Sequence, residues 1–310
     1  MVRAVVIGAI NWDVTLFVKK FPPEGEEAVV TRIMRVPGGK AGNTAVAAAR
    51  LLGPQQVAIF GGLGKDSIGT EQMKRFEAEG VVTSGLKFCD GTESGQAYVA
   101  IDAEGANIVY KLWGANSQIT PGDLDDPLRR GLIDEAVVVG IMGPPFETAL
   151  RITEIAKARR KVVAWDPGVH SELGFGMVRP LLKDVDYVVA NEHEVANLTD
   201  EKDPVAAARR LAVANERLKI VVKLGARGCL LFSGEKTEVL PGLDLPAAGL
   251  KVVNTLGCGD AFLGAFAAAL AEGRSDLEAL RWGNCAGGLK ATKYETRGSP
   301  TRETLMKYLS

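Results

Sequence analysis

From Glu135 onward the chain repeats one pattern: a short Val-rich run, an amphipathic stretch of helical period, then another such run. AVVVGIM is followed by TALRITEIAKARR, KVVAWDPG leads on to DYVVANEHEVANL, and DPVAAARRLAVANERL leads to KIVVKLGARGCLLF. Strands that are apolar throughout must be covered on both faces, and intervening helices make the crossovers. The pattern therefore predicts a doubly wound α/β fold, with a mostly parallel sheet covered by helices. No internal repeat, low-complexity tract or linker interrupts it, and 310 residues suffice for one α/β domain spanning residues 1–310.

The N-terminal half departs from this rhythm. Residues 4–8, AVVIG, read as a buried strand, but residues 14–36 alternate apolar and polar in two pieces around the loop KKFPPEGE, and residues 94–112 form a hairpin turning at Asp102 to Gly105. Two β-ribbons interrupting a βα series predict a small sheet standing off the main one, or an extension of the main sheet's edge.

Charge and cysteine usage exclude several classes of function. The formal net charge of −1 argues against nucleic-acid binding by bulk electrostatics. No apolar run approaches a membrane span, and the start MVRAVVIG is too short in apolar residues for a signal peptide, so a cytoplasmic protein is expected. The four cysteines, Cys89, Cys229, Cys258 and Cys285, show no CxxC spacing and the histidines are two, which disfavours a zinc site or a disulfide framework.

The stretch Lys251 to Gly273, KVVNTLGCGDAFLGAFAAALAEG, carries the chemistry. A β-type run at Val252 and Val253 precedes a turn with Gly257 and Gly259, and an Ala-rich helix follows, with Phe262, Leu263, Phe266 and Leu270 at helical spacing. Backbone N–H groups at such a helix entry have no intrahelical partner, and with the helix dipole they make a seat for an anion. Asp260 stands at its mouth. A first-turn acid is an ordinary helix-start residue, but that leaves the glycines unexplained; a general base beside a phosphate accounts for both.

Other segments end strands in polar or glycine-rich turns. In GAINWD, Asn11 and Asp13 project the same way from an extended segment, either as turn formers or as a grip on a polyol. GGKAGN, with Gly39, Lys40 and Asn43, introduces the helix TAVAAARLLG. In ANEHEVANL, Asn191 and Glu194 lie three apart on one face of a helix start, where an acid is often a cap. KLGARG, with Lys223, Gly225 and Gly228, ends a strand in a glycine turn. Neither Gly39-Lys40 nor Gly64-Lys65 is followed by Ser or Thr, so there is no Walker A loop, and GAINWD lacks the GxGxxG of dinucleotide binders.

NTLGCGDAF resembles the C-terminal signature DTxGAGDAF of the PfkB, or ribokinase-like, family of sugar and nucleoside kinases, and the likeness runs nearly end to end through GAINWD, GGKAGN, the segment from Gly61 to Gly69, ANEHEVANL and KLGARG. The resemblance implies a ribokinase-like fold with a β-sheet lid from about 14–36 and 94–112, through which many members dimerise. It implies an ATP- and Mg²⁺-dependent kinase acting on a small-molecule sugar or nucleoside. Asp260 would be the catalytic base, and Leu256, Gly257, Cys258 and Gly259 the anion hole. Asn11, Asp13, Gly39, Lys40 and Asn43 would hold the sugar. Asn191, Lys223, Gly225, Gly228, Thr255, Gly257 and Asn284 would lie along the nucleotide, and Glu194 would organise Mg²⁺, which keeps most of its waters and needs few carboxylates.

Three positions depart from the family pattern. Asn254 replaces an aspartate that in many members helps form a monovalent-cation site, which puts K⁺ activation in question. Cys258 replaces an alanine, as a small filler or as a thiol of lowered pKa at a helix N-terminus. Gly143 stands about where ribokinases carry a sugar-binding glutamate, which places a nucleoside slightly ahead of free ribose. The expected reaction is γ-phosphoryl transfer to a primary hydroxyl of a ribofuranose unit. A sugar-phosphate kinase such as a 6-phosphofructokinase, which would need extra cations in the pocket, and a non-catalytic sugar or nucleotide sensor are the alternatives.

Overall fold

The computed structural model describes residues 1–309. In chain order its elements begin with β1 (Ala4–Gly8), β2 (Asn11–Val18), β3 (Val30–Gly38), α1 (Lys40–Leu52), β4 (Val57–Phe60), β5 (Gly62–Gly64), α2 (Ser67–Ala78), β6 (Lys87–Cys89), β7 (Gln96–Ile101) and β8 (Asn107–Leu112). There follow α3 (Pro127–Glu135), β9 (Val138–Met142), α4 (Phe146–Ala158), β10 (Val162–Asp166), α5 (Gly174–Leu182), β11 (Tyr187–Asn191), α6 (Glu192–Thr199), α7 (Pro204–Ala212) and β12 (Lys219–Lys223). The chain closes with β13 (Cys229–Ser233), β14 (Lys236–Leu240), α8 (Cys258–Ala271), α9 (Asp276–Ala291) and α10 (Arg302–Tyr308).

The main sheet has eight strands in the order β14-β13-β12-β11-β10-β9-β1-β4. From β4 through β12 all neighbours are parallel, while β13 and β14 fold back as an antiparallel edge. Alternate residues of one strand feed two cores: Ala4 and Val6 pack with α1, α8 and α9, whereas Val5 and Ile7 pack with α3, α4 and α7. That double burial is why the runs are apolar throughout. From β1 the chain builds outward to β4, and from β9 it builds the other way. The crevice between β1 and β9 is thus the switch point, beyond whose C-terminal strand ends ligands gather in open α/β sheets.

The two ribbons form a single four-stranded sheet, β3-β2-β7-β8, joined by parallel pairing of β2 with β7. It is separate from the main sheet, and β2 starts at Asn11, directly after β1, so the lid grows out of the strand end where the site lies.

The expectation of a strand at Val252–Val253 is not met. The main sheet already ends at β14, and these valines lie 61% and 41% exposed in a loop. Their segment is held by a helix terminus, with the N–H groups of Val253 and Asn254 both donating to the Ala291 carbonyl at 2.8 and 3.1 Å.

α1 and α8 are Ala-rich for a packing reason. A Cβ on Gly264 would stand 2.5 Å from the Ala47 Cβ and 2.7 Å from the Thr44 carbonyl oxygen, so the two helices approach more closely than side chains allow. Their N-termini are thereby held side by side.

Candidate active site

Asp260 lies in the first turn of α8 and is 8% exposed. The Asn43 side-chain amide, from the first turn of α1, donates to its Oδ2 at 2.8 Å, and the Thr44 hydroxyl donates to its carbonyl at 3.3 Å. Asp260 makes no salt bridge among the described residues. Burial raises its carboxyl above the ordinary value, and Lys40 and the Asn43 bond only partly oppose this. An aspartate near 4 would be a poor base toward an alcohol; this one is a better base than its residue type suggests.

The helix entry is built as an anion seat. Gly257 caps α8 at φ 83°, and a Cβ there would be 2.3 Å from the Thr296 carbonyl oxygen, so both its conformation and its surroundings require glycine. The N–H groups of Gly257, Gly259 and Asp260 have no hydrogen-bond partner among the described residues, while that of Cys258 donates to the Thr255 carbonyl at 3.2 Å. The Cys258 thiol does not have a lowered pKa: burial pushes it up, against the pull of Lys290. Burial outweighs the helix terminus there.

A second cluster gathers at the neighbouring strand ends. Asp166, the last residue of β10, is 1% exposed; Lys40 Nζ donates to its Oδ1 at 2.6 Å and Lys223 Nζ to its Oδ2 at 2.9 Å. Burial alone would raise this carboxyl, but Lys223 and Lys40 bring it down to about 2. Lys40 also donates to Glu194 Oε1 at 2.8 Å, and the paired carboxylates raise its pKa despite burial. Glu194 Oε2 accepts the Asn191 N–H at 2.9 Å and Asn191 Oδ1 accepts the Glu194 N–H at 2.8 Å, a capping box that opens α6. Asn191 is thus a cap, and Glu194 is both cap partner and ion-pair partner. Lys223 reaches toward the anion seat: a Cβ on Gly259 would lie 3.2 Å from its Nζ.

On the lid side, Asn11 Oδ1 accepts from the Asn116 side chain at 2.9 Å, and Asn116 also bridges the Ile10 N–H and carbonyl. Asp13 lies in β2 facing the end of β3, and burial raises its carboxyl to about 6, against the attraction of Arg297. Arg297, 7% exposed, donates to the Gly38 carbonyl at 3.0 Å, to Gln72 Oε1 at 2.8 Å and to Asn43 Oδ1 at 3.3 Å. Gly39 is the N-cap of α1. Gly225 opens and Gly228 caps a short 3-10 turn after β12, Thr255 lies in the loop before α8, and Asn284 of α9 donates to the Leu240 and Pro241 carbonyls at 3.3 and 3.0 Å. Asp166, Arg297, Asn116 and Gln72 were not singled out from the sequence. Asp166 alone had a signal, an acid at the C-terminal end of an apolar strand.

A carboxylate raised in pKa, unpaired amides beside it, and two lysines facing them are groups suited to phosphoryl transfer. Comparison with known proteins agrees: the pfkB family carbohydrate kinase model matches residues 1–303, and the chain belongs to that family. It is therefore a phosphotransferase acting on an alcohol group of a sugar, with the family's ribokinase-like fold. The chain is similar to the ribokinase of Bacillus subtilis, 33% identical over 98% of each chain, and to the ATP-dependent ribose-1-phosphate kinase of Halopiger xanaduensis, 30% identical over 100% of this chain and 99% of that one. The solved structure of Arabidopsis thaliana ribokinase complexed with ribose and ATP superposes with a TM-score of 0.86 at 26% identity, covering 100% of this chain and 99% of that one.

Burial of Asp13 has a pH consequence. If Asp13 holds the sugar, as the family resemblance implies, its carboxylate accepts more hydrogen bonds from hydroxyls than its protonated form, so sugar affinity should be full above about pH 7 and fall as pH drops through about 6. Calorimetric titration of the sugar at several pH values checks this. A flat affinity between pH 5 and 8 would remove Asp13 from the sugar site.

Proposed function

We propose that the protein transfers the γ-phosphoryl group of ATP to a primary hydroxyl of a ribofuranose unit, with Asp260 as general base. The observation that carries this is the buried Asp260 carboxylate, held by Asn43 and free of any salt bridge among the described residues, at a helix entry with unpaired amides. The sugar hydroxyls are held by Asp13, Asn11 and Asn43, with Gly39 at the floor of the pocket. The nucleotide lies along Gly225, Gly228, Thr255 and Asn284. The Gly257, Gly259 and Asp260 amides and the Lys223 ammonium receive the charge that spreads over the transferring oxygens. Lys40, paired with Asp166 and Glu194, borders the phosphates rather than reaching for the sugar alone.

Asp166 and Glu194 are carboxylates of the right kind for a Mg²⁺ that keeps its waters, although no cluster of three or more metal-ligating side chains occurs among the described residues. Glu194 would hold the ion through water, and Mg²⁺ supplies charge neutralisation on the phosphates when bound.

Similarity to ribokinases favours free ribose, while Gly143 favours a nucleoside. A second reading, a ribose phosphate as acceptor, is favoured by Arg297: this buried cation lies beside Asn43, and its Nη1 lacks a partner among the described residues. An ADP-release assay with ribose, nucleosides, ribose 1-phosphate and fructose 6-phosphate decides among these. ADP release independent of every acceptor would overturn the kinase reading in favour of a sensor.

The lid exposes Ile33, Tyr98, Val109 and Tyr110, which supports pairing of two copies through this sheet. Sedimentation should show a dimer, and a monomer at all concentrations would refute it. Among the described residues no helix is long and apolar enough to cross a membrane. The four cysteines are unpaired, which supports a cytoplasmic setting.

A further inference from the structure

Lys290, in the last turn of α9, is 0% exposed, and no carboxylate pairs with it among the described residues. A fully buried ammonium without a counter-ion is costly unless something else satisfies it. Two backbone carbonyls do so: Nζ donates to the Asn254 oxygen at 2.9 Å and to the Lys293 oxygen at 3.3 Å. Carbonyl oxygens converging on a cation are what binds a bare monovalent ion, and an alkylammonium has the charge and about the size of K⁺.

The loop it serves leads directly into the anion seat. Asn254 Oδ1 accepts the Leu256 N–H at 3.0 Å, its Nδ2 donates to the Tyr294 carbonyl at 2.7 Å, and its carbonyl receives Lys290. A carboxylate at 254 could not donate to Tyr294, so the amide is the residue that suits this arrangement. Two residues after Leu256, α8 begins. The charged and titratable groups facing Lys290 are Asp260 and Cys258 of α8 and Glu295 from the segment after α9; burial lowers its pKa, and these three oppose the shift.

The family's monovalent-cation site therefore does not fit a free ion here: its aspartate is Asn254, and the Asn254 and Lys293 carbonyls are taken by the Lys290 side chain. We infer that Lys290 is a built-in cation which fixes the loop from Asn254 to Gly257 and sets a positive charge behind the anion seat, so that turnover needs no added K⁺. Lys290 touches neither substrate nor nucleotide; it is a positioning residue, acting through the loop. The inference rests on the kinase reading, but its test separates the two.

The test compares turnover and thermal midpoint in K⁺ and in tetramethylammonium, a cation too large for the site. Wild type should show the same turnover and the same midpoint in both. Lys290→Ala should lose about tenfold or more in kcat in tetramethylammonium. K⁺ or NH₄⁺ should restore its activity and raise its midpoint. Lys290→Met, which fills the space with an apolar chain, should not respond. Activation or stabilisation of the wild type by K⁺ would overturn the inference, as would an Ala variant as active as wild type without K⁺ or one that K⁺ and NH₄⁺ leave unchanged. If Lys290→Ala does not fold, the wild-type comparison still decides. If no acceptor supports turnover, the kinase reading fails, and the thermal midpoints alone decide the role of Lys290.

Discussion

Replacing Asp260 by Asn is expected to lower kcat about 10²–10⁴-fold while nucleotide affinity changes little. The amide keeps the shape and one acceptor oxygen, so the Asn43 bond and the close packing of α1 on α8 through Gly264 remain. What disappears is the ability to take the hydroxyl proton as the phosphoryl group arrives. Because burial raises the Asp260 pKa, the wild-type rate should also be lost on the acid side at a higher pH than an ordinary aspartate would give. The sign is fixed by the role: a base works deprotonated, so activity is present above its pKa and falls as pH drops through it. Steady-state kinetics of both proteins across pH check the two statements together. An Asn variant that turns over at the wild-type rate would exclude Asp260 as base.

The largest stability effect is expected at Asp166. Its carboxylate is 1% exposed and holds Lys40 and Lys223 at once, so Asp166→Ala leaves two ammonium groups facing each other with their shared counter-ion gone. Breaking a buried pair in this way costs about 3–5 kcal/mol. The lower end applies here, since the Lys40 side chain is 38% exposed and keeps Glu194. The Asp166 pKa is depressed in the fold, so its contribution is present above the unfolded value of about 4 and is lost as pH falls toward about 2. Denaturant titrations should show the gap between wild type and variant at neutral pH and its narrowing in acid. An equal midpoint for the two proteins at pH 7 would show that the bridge contributes nothing.

How far the sequence revealed this site depends on how local each signal was. The helix entry at Gly257 to Asp260 is a short-range feature, with glycine where φ is positive and an acid in the first turn, and it could be read directly. The same holds for the doubly buried strands, whose apolar runs have no polar face to show. Lys40, Asp166 and Lys223 come from three segments up to 183 residues apart in the chain, and their meeting depends on the β9-β10-β11-β12 strand order, which no local pattern states. Arg297 and Lys290 were equally silent, because a charged residue in a loop or a last helical turn is ordinarily a solvated one. Val252 and Val253 misled for the opposite reason: β-branched residues favour a strand, but no sheet edge was left to receive one.

The most direct test is the ³¹P NMR spectrum of a reaction with ATP, Mg²⁺ and the preferred ribofuranose acceptor. The account predicts a new phosphomonoester signal, split by the two protons of a primary carbinol carbon, growing in step with ADP in the wild type and slowed at least about 10²-fold in Asp260→Asn. Inorganic phosphate in place of the ester, or an ester formed equally fast by the variant, would contradict it.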